Sequence, residues 1–333
     1  MAVTTLPTPR RVTVSSDFGG IELDVVDAGP ADAPVVVLAH GFPESSYSWR
    51  HQIAPLVDAG YRVLAPDQRG YGRSSAPREV AAYRSDLLAA DLVALLDDVG
   101  VDDALFVGHD WGALLTWDLA RYRPDRVRGL VNVSVPYTPW PVPPTELFRA
   151  TYGDRFFYML YFQQVGPPEA EFDADPRESL RRWLWVGSAE GYRLPSAVED
   201  LVPLDGNGFF DAVLAEQEIP DGLPDWIDEA DLDVYADQFA ASGFFGPVSW
   251  YRNLDADHAL TRDLPAPSMP TAFVGGELDM VIAHRMEYVD SMESTLPDFR
   301  GSTIIEGAGH WTQQEKPAEF DAALLAALRS VSD

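Results

Sequence analysis

The chain opens on two stretches in which apolar and polar residues alternate, 11–14 and 21–26, joined by Ser15-Ser16-Asp17-Phe18-Gly19-Gly20. Alternation at period two marks strands with one buried face, so this stretch predicts an antiparallel, hairpin-like entry. Then the pattern changes. Residues 35–39, 61–65, 105–107, 130–133, 272–274 and 303–305 form short, mostly apolar runs rich in β-branched side chains, as strands buried on both faces do. Helical periods lie between many of them, at 87–96 and 114–122, and after the last, at 320–328. Strand and helix in alternation predict an α/β fold, a mostly parallel sheet of roughly eight strands with helices on both faces.

The alternation stops in the middle. From Pro136 to about Ala256 no parallel strand is legible, and the segments are helical or broken by Pro and crowded with aromatics, Tyr158, Tyr161, Phe162, Trp183 and Trp250 among them. A block of this kind between strands of one sheet reads as a helical cap over the carboxyl edge, where open α/β sheets bind ligands. The expected division is a core in two parts, 1–136 and 257–333, with the cap at 137–256. Most of the aromatics are expected to form the cap's own core and some to line a pocket.

Composition narrows the function. A chain of 333 residues with 46% hydrophobic content buries a substantial core. It has no cysteine, which excludes disulfides and thiolate metal sites. Residues 1–11 hold no apolar run of signal-peptide length and no later stretch approaches a membrane span, so a soluble, cytoplasmic protein is expected. The formal net charge is −29 and Lys316 is the only lysine. Such a surface repels phosphate backbones and anionic lipid, so neither nucleic acid nor membrane is an expected partner. The acid excess fits a high-salt habitat or an Arg-using genome with an acidic solvated face. Asp67-Gln68-Arg69-Gly70-Tyr71-Gly72-Arg73-Ser74 lacks the G-x-G-x-x-G spacing of a dinucleotide site and reads as a structural loop with an internal Asp67–Arg ion pair. No metal, flavin or nucleotide cofactor is implied.

The candidate chemistry centres on Gly108-His109-Asp110-Trp111-Gly112, between the end of a buried run and the start of a helical one. A sharp strand-to-helix turn crowds its central residue, and Gly two positions either side removes the Cβ atoms that would clash. This is the pattern of a nucleophile elbow with Asp where Ser is usual; the competing reading is a turn whose Asp caps the following helix. His40-Gly41-Phe42-Pro43-Glu44 follows an earlier strand, and its turn would aim the Phe42 amide at the same point as the Trp111 amide, an oxyanion hole, or else simply lead into a helix near 45–56. Of six histidines, His40 and His109 lie beside turn residues, and His51, His258 and His284 have polar contexts that suggest exposure. His310 follows the last strand in Gly307-Ala308-Gly309-His310-Trp311 and is the candidate base. Asp279, in Gly275-Gly276-Glu277-Leu278-Asp279, is the candidate orienting acid, with Glu277 a lesser rival. Asn132-Val133-Ser134-Val135-Pro136 offers no acid. Nucleophile, acid and base thus come in the chain order of α/β-hydrolases. A carboxylate nucleophile attacks saturated carbon and leaves an alkyl ester on the enzyme, which a histidine-activated water then hydrolyses.

With these motifs the chain resembles the epoxide hydrolases of the α/β-hydrolase fold from about Val35 to Pro317. The resemblance rests on His40-Gly41-Phe42-Pro43, Gly108-His109-Asp110-Trp111-Gly112 and Gly309-His310-Trp311. It rests equally on two cap stretches, Phe157-Tyr158-Met159-Leu160-Tyr161-Phe162-Gln163 and Gly243-Phe244-Phe245-Gly246-Pro247-Val248-Ser249-Trp250-Tyr251-Arg252-Asn253. It implies hydrolysis of an epoxide to a vicinal diol, with Asp110 as nucleophile, His310 as base and Asp279 as orienting acid. Tyr158 and Tyr251 would hold the epoxide oxygen, with Tyr161 the neighbour that competes with Tyr158, and the peptide before Pro43 would be cis. Proton donation from a phenol to the opening alkoxide is downhill by roughly 6 pKa units, about 8 kcal/mol. A halide leaving group needs no proton. The alternatives are a haloalkane or haloacid dehalogenase of the same fold and a non-catalytic ligand-binding protein. Similar haloalkane dehalogenases usually carry Asn where Phe42 stands, and haloacetate enzymes carry Arg where Trp111 stands; neither is found here. The expected partners are a small apolar epoxide and water. Which epoxide, its regio- and enantioselectivity, and whether the chain forms a homo-oligomer stay open.

The charge generates a prediction of its own. Self-repulsion at −29 is screened by salt, so moderate sodium chloride raises the melting temperature. Unchanged or lowered stability between low and high salt contradicts this.

Overall fold

The computed structural model describes residues 6–192, 201–213, 219–283 and 285–332. The strands among them are β1 (Arg10–Ser16), β2 (Gly19–Ala28), β3 (Val35–Ala39), β4 (Arg62–Pro66), β5 (Ala104–His109), β6 (Val127–Val133), β7 (Thr271–Gly276) and β8 (Phe299–Ile305). They form one eight-stranded sheet in the order β1-β2-β4-β3-β5-β6-β7-β8. The entry pair is antiparallel, with Val12 opposite Leu23 and Val14 opposite Ile21. All four are buried while Arg11 and Thr13 face solvent, which is why this pair alternates in sequence. β2 runs antiparallel to β4, and from β4 to β8 every pairing is parallel.

The parallel strands send alternate residues to two apolar layers. Val35, Val37, Phe106 and Phe273 pack on one side with Leu88, Leu92, Leu115 and Leu119 of the helices Ser85–Val99 and Trp111–Tyr122. Val36, Leu38, Leu105, Val107 and Val274 pack on the other with Ile53, Leu56, Phe320 and Leu324, from the helices Ile53–Asp58 and Pro317–Ser332. Helices on both faces leave the carboxyl ends of β3, β5, β6, β7 and β8 as the sheet edge from which loops carry side chains outward.

Between β6 and β7 the described residues form helices, among them Pro144–Tyr152, Pro176–Gly187, Glu229–Ser242, Phe245–Arg252 and Leu254–Thr261. Asp175 and Asp228 start two of these, their carboxylates accepting otherwise free amides of the first turn. Phe162, Phe172, Leu184, Phe239 and Trp250 bury into the same apolar cluster as the first face of the sheet, so the aromatic layer is continuous with the core rather than a core apart. The helix Leu254–Thr261 runs through position 256. No helix among the described residues is long and apolar enough to cross a membrane.

Three local expectations are corrected. Residues 45–56 are not one helix: a 3₁₀ turn, Ser46–Trp49, is followed by the helix Ile53–Asp58. Arg50 and Gln52, between them, turn inward to Gln314, the Gln313 carbonyl and Asp321, and these long-range bonds outcompete a continuous helix. Asp67 accepts from the amide and hydroxyl of Ser46 rather than pairing with an arginine. It is Asp91 that takes Arg69 in a buried two-point ion pair, at 2.8 and 2.6 Å. His258 is buried, its Nε2 3.2 Å from the Trp140 carbonyl, and His51 is half-buried; His284 lies outside the described residues.

Candidate active site

β5 ends at His109 and a helix starts at Trp111, so the chain reverses its course at Asp110. Its backbone sits at φ 52°, ψ −115°, a region that a residue with a side chain rarely adopts. A Cβ at Gly112 would overlap the Ala39 carbonyl, and one at Gly41 would overlap the Asp110 side chain; both turns pack closer than any other residue permits. The Asp110 side chain makes no capping bond to its helix. It turns instead to the β3 loop, where the Phe42 amide donates to Oδ1 at 2.9 Å. The Trp111 amide, at the start of the helix, favours the charged form of this carboxylate. The Phe42–Pro43 peptide is cis.

The loop after β8 brings His310 to the same point. Its Nε2 lies 3.6 Å from Asp110 Oδ2, and its Nδ1 lies 3.0 Å from Asp279 Oδ1, on the loop after β7. Asp279 is fully buried and also accepts from the Val281 amide at 2.9 Å. Burial opposes charge on His310, but Asp279 and then Asp110 more than offset it, and the imidazole is pushed up to about 9. Burial would raise Asp279; the charge and hydrogen bond of His310 prevail and hold it below the usual carboxylate range. Asp110 is raised, burial exceeding the opposing influence of His310, His109 and the two amides.

Two phenols approach from the helical layer. The rings of Tyr158 and Tyr251 are 5.8 Å apart, and Tyr251 packs edge-on against Trp111 at 4.8 Å and Phe42 at 5.4 Å. Burial pushes both phenols above their usual range, and the negative charge of Asp110 pushes the same way, so both stay protonated. Tyr161, one turn from Tyr158, is committed elsewhere: its hydroxyl donates to Glu171 at 2.8 Å. Glu277 accepts from the Gly307 amide on the rim.

The model of the α/β hydrolase fold family matches residues 34–317. Epoxide hydrolase A of Mycobacterium tuberculosis is 46% identical over 325 residues, covering 96% of each chain. Epoxide hydrolase B of the same organism is 38% identical, covering 92% of this chain and 95% of the other. The crystal structure of epoxide hydrolase A from Mycobacterium thermoresistibile superposes with a TM-score of 0.85 at 43% identity, covering 97% of this chain and 99% of that one. The chain belongs to the epoxide hydrolases of the α/β-hydrolase fold.

This epoxide hydrolase carries supporting groups that its sequence did not disclose. Ser134, directly after β6 and at φ 73°, places its hydroxyl 3.0 Å from His310 Nδ1. The only signal for it was its place after a strand that ends at this edge. Glu44 is wholly buried and faces His109 Nδ1 at 2.7 Å, while His109 Nε2 faces the His310 carbonyl at 2.8 Å. The ring of His109 is thereby held between the Glu44 carboxyl group and the main chain of His310. Burial would raise Glu44, but His109 and the Gly41 amide hold it low. Glu315 accepts from the amides of Ala189, Gly309 and Trp311, and the His310 amide donates to the Gly187 carbonyl. The loop of His310 is thereby fastened to the core on one side and to the helix Pro176–Gly187 on the other. Among the described residues no cluster of three His, Asp or Glu side chains is arranged to hold a metal.

The closeness of the elbow to β3 is testable. Gly112→Ala drives a methyl group into the Ala39 carbonyl and is expected to destabilise the protein by about 1–3 kcal/mol, read as a lowered urea midpoint. An unchanged midpoint contradicts the packing described.

Proposed function

We propose that this chain hydrolyses an epoxide to a vicinal diol through a covalent ester on Asp110, beneath a cap formed by residues 137–256. The observation that carries the reading is the double commitment of one carboxylate: Oδ1 is held by the Phe42 amide at 2.9 Å while Oδ2 faces His310 at 3.6 Å, under the rings of Tyr158 and Tyr251.

In the first step Asp110 Oδ2 attacks an epoxide carbon and the carbon–oxygen bond of the ring breaks. The oxygen takes a proton from Tyr158 or Tyr251, leaving a hydroxyalkyl ester and a phenolate. Because burial raises both phenols, the driving force is smaller than for a free tyrosine, and two donors in place of one offset part of that loss. In the second step His310 takes a proton from water as the water attacks the Asp110 carbonyl carbon. The oxyanion that forms on Oδ1 lies between the amides of Phe42 and Trp111. Collapse expels the second diol oxygen, which takes the proton from His310, and the proton left on the regenerated carboxyl returns to the imidazole. Ester formation removes the Asp110 charge, one of those that keep His310 protonated, so before it acts as base the imidazolium passes its proton to the phenolate and restores the phenol.

Two phenols over the nucleophile favour an epoxide over an alkyl halide, whose leaving group needs no proton. The aromatic lining supports an apolar substrate near the ring, and the acidic surface supports a small molecule rather than nucleic acid or a membrane as partner. Diol formation from a panel of styrene, fatty-acid and small aliphatic epoxides tests the activity. Tyr158→Phe and Tyr251→Phe are each expected to retain partial turnover, down roughly 10²-fold, and the double variant almost none. Full activity in the double variant, or loss in Tyr161→Phe instead, contradicts the assignment.

A further inference from the structure

The two phenols beside Asp110 are mounted differently. Tyr251 lies in the helix Phe245–Arg252, which is docked on the core. Gly246 of that helix lies so close to Gly70 that a Cβ there would stand 2.7 Å from the Gly70 Cα. The Asn253 side-chain amide donates to the Val80 carbonyl at 2.7 Å, and the Trp250 indole donates to the Arg69 carbonyl at 3.3 Å. Arg69 is itself fixed by its ion pair with Asp91. Tyr158 lies in a helix of only four residues, Tyr158–Tyr161, too short to be stable on its own.

The short helix is tied to the longer one next to the phenols. The carbonyls that follow its last turn have no further helix to serve them. Arg252, the residue after Tyr251, supplies the donors: its Nε donates to the Phe162 carbonyl at 3.0 Å and one terminal nitrogen donates to the Gln164 carbonyl. The other terminal nitrogen meets Glu169 at 2.6 Å, in an ion pair whose side chains are 3% and 10% exposed. Gln163 returns the contact, its side-chain amide donating to the Tyr251 and Met159 carbonyls at 2.9 Å each. Burying an ion pair is a poor way to gain stability, because apolar side chains in its place are often as stable. What the guanidinium adds is geometry, a planar fork of donors whose directions are fixed.

We propose that Arg252 is a positioning residue for the reaction and acts through Tyr158: its fork fixes the short helix against the helix of Tyr251 and so holds the two rings 5.8 Å apart. The inference rests on the reading of these phenols as the proton donors. Tyr251 keeps its place without the guanidinium, through Gly246, Trp250 and Asn253, whereas Tyr158 loses the bonds that aim it. A donor displaced by about 1 Å can cost on the order of a hundredfold in rate.

The test is a double-variant cycle read on the rate at which Asp110 is esterified by styrene oxide in a single turnover. Arg252→Met is combined with Glu169→Gln, so that no unpaired charge is left buried and the bond from the Gly166 amide to residue 169 is kept. This pair of changes is expected to slow esterification on the order of tenfold in the otherwise native chain, and at least as much in Tyr251→Phe, where Tyr158 is the only donor. In Tyr158→Phe it should cost nothing further. Gln163→Met, which removes a neutral link and no charge, should repeat the pattern at a smaller fold-change, so the outcome is decided even where the charged pair is needed for folding. In a crystal structure of the variant the Tyr158 ring should leave Tyr251, while Tyr251 keeps its 4.8 Å contact with Trp111. No loss in the otherwise native chain, the same loss in all three backgrounds, or rings that keep their 5.8 Å separation overturns the positioning role. Esterification undiminished in Tyr158→Phe/Tyr251→Phe contradicts the phenols as donors instead, and the crystal structure still decides whether Arg252 sets their separation.

Discussion

The turn at Asp110 constrains the rest of the structure. A residue with a side chain at φ 52° costs on the order of 1–3 kcal/mol, and such a conformation persists only where its surroundings hold it. Here Gly112 lies against β3, Gly41 lies against the Asp110 side chain, and the Phe42 amide bonds the carboxylate. Each contact depends on β3 and β5 being neighbours in the parallel sheet, with Leu38 beside Val107 and Ala39 beside Gly108. The register of two buried strands therefore sets the position of one carboxylate. The strain is kept at Asp110 and offset by the core beneath it.

Buried charges carry that precision to His310. Glu44, His109 and the main chain of His310 form one hydrogen-bonded line, while Gln313 and Gln314 donate to the other oxygen of Glu44 at 2.9 and 3.0 Å. A buried carboxylate without such partners would be strongly destabilising; with them it ties together the loop after β3, the elbow and the loop of His310. The ring of His310 is held separately, by Asp279 and Ser134. Backbone and ring are thus positioned by different groups, and Nε2 is left to face Asp110.

Much of this was legible in the sequence, for physical reasons. Parallel strands buried on both faces must be short β-branched runs, and the runs at 35–39 and 105–107 are found in β3 and β5. Asp110, Asp279 and His310 each follow such a run, and ends of parallel strands converge on one edge, so their meeting could be read from order alone. Residues whose roles come from long-range partners were not legible. Glu44 read as part of a turn because nothing nearby in sequence shows that His109, Gln313 and Gln314 surround it. Asp67 and Arg69 are neighbours in sequence yet choose Ser46 and Asp91. His258 has polar neighbours, but the helix Leu254–Thr261 turns it inward to Trp140. Tyr161 competed with Tyr158 on a helical period, and the pattern alone does not show that its hydroxyl goes to Glu171.

The covalent step is the central claim, and trapping its product tests it most directly. In the proposed reaction alkylation of Asp110 does not need His310, whereas hydrolysis of the ester does. His310→Gln, mixed with a substrate epoxide and examined by mass spectrometry, should therefore gain the mass of the whole epoxide, because ring opening expels no fragment. Peptide mapping should place the addition on Asp110. A variant that binds the epoxide but gains no mass, or gains it on another residue, contradicts the account.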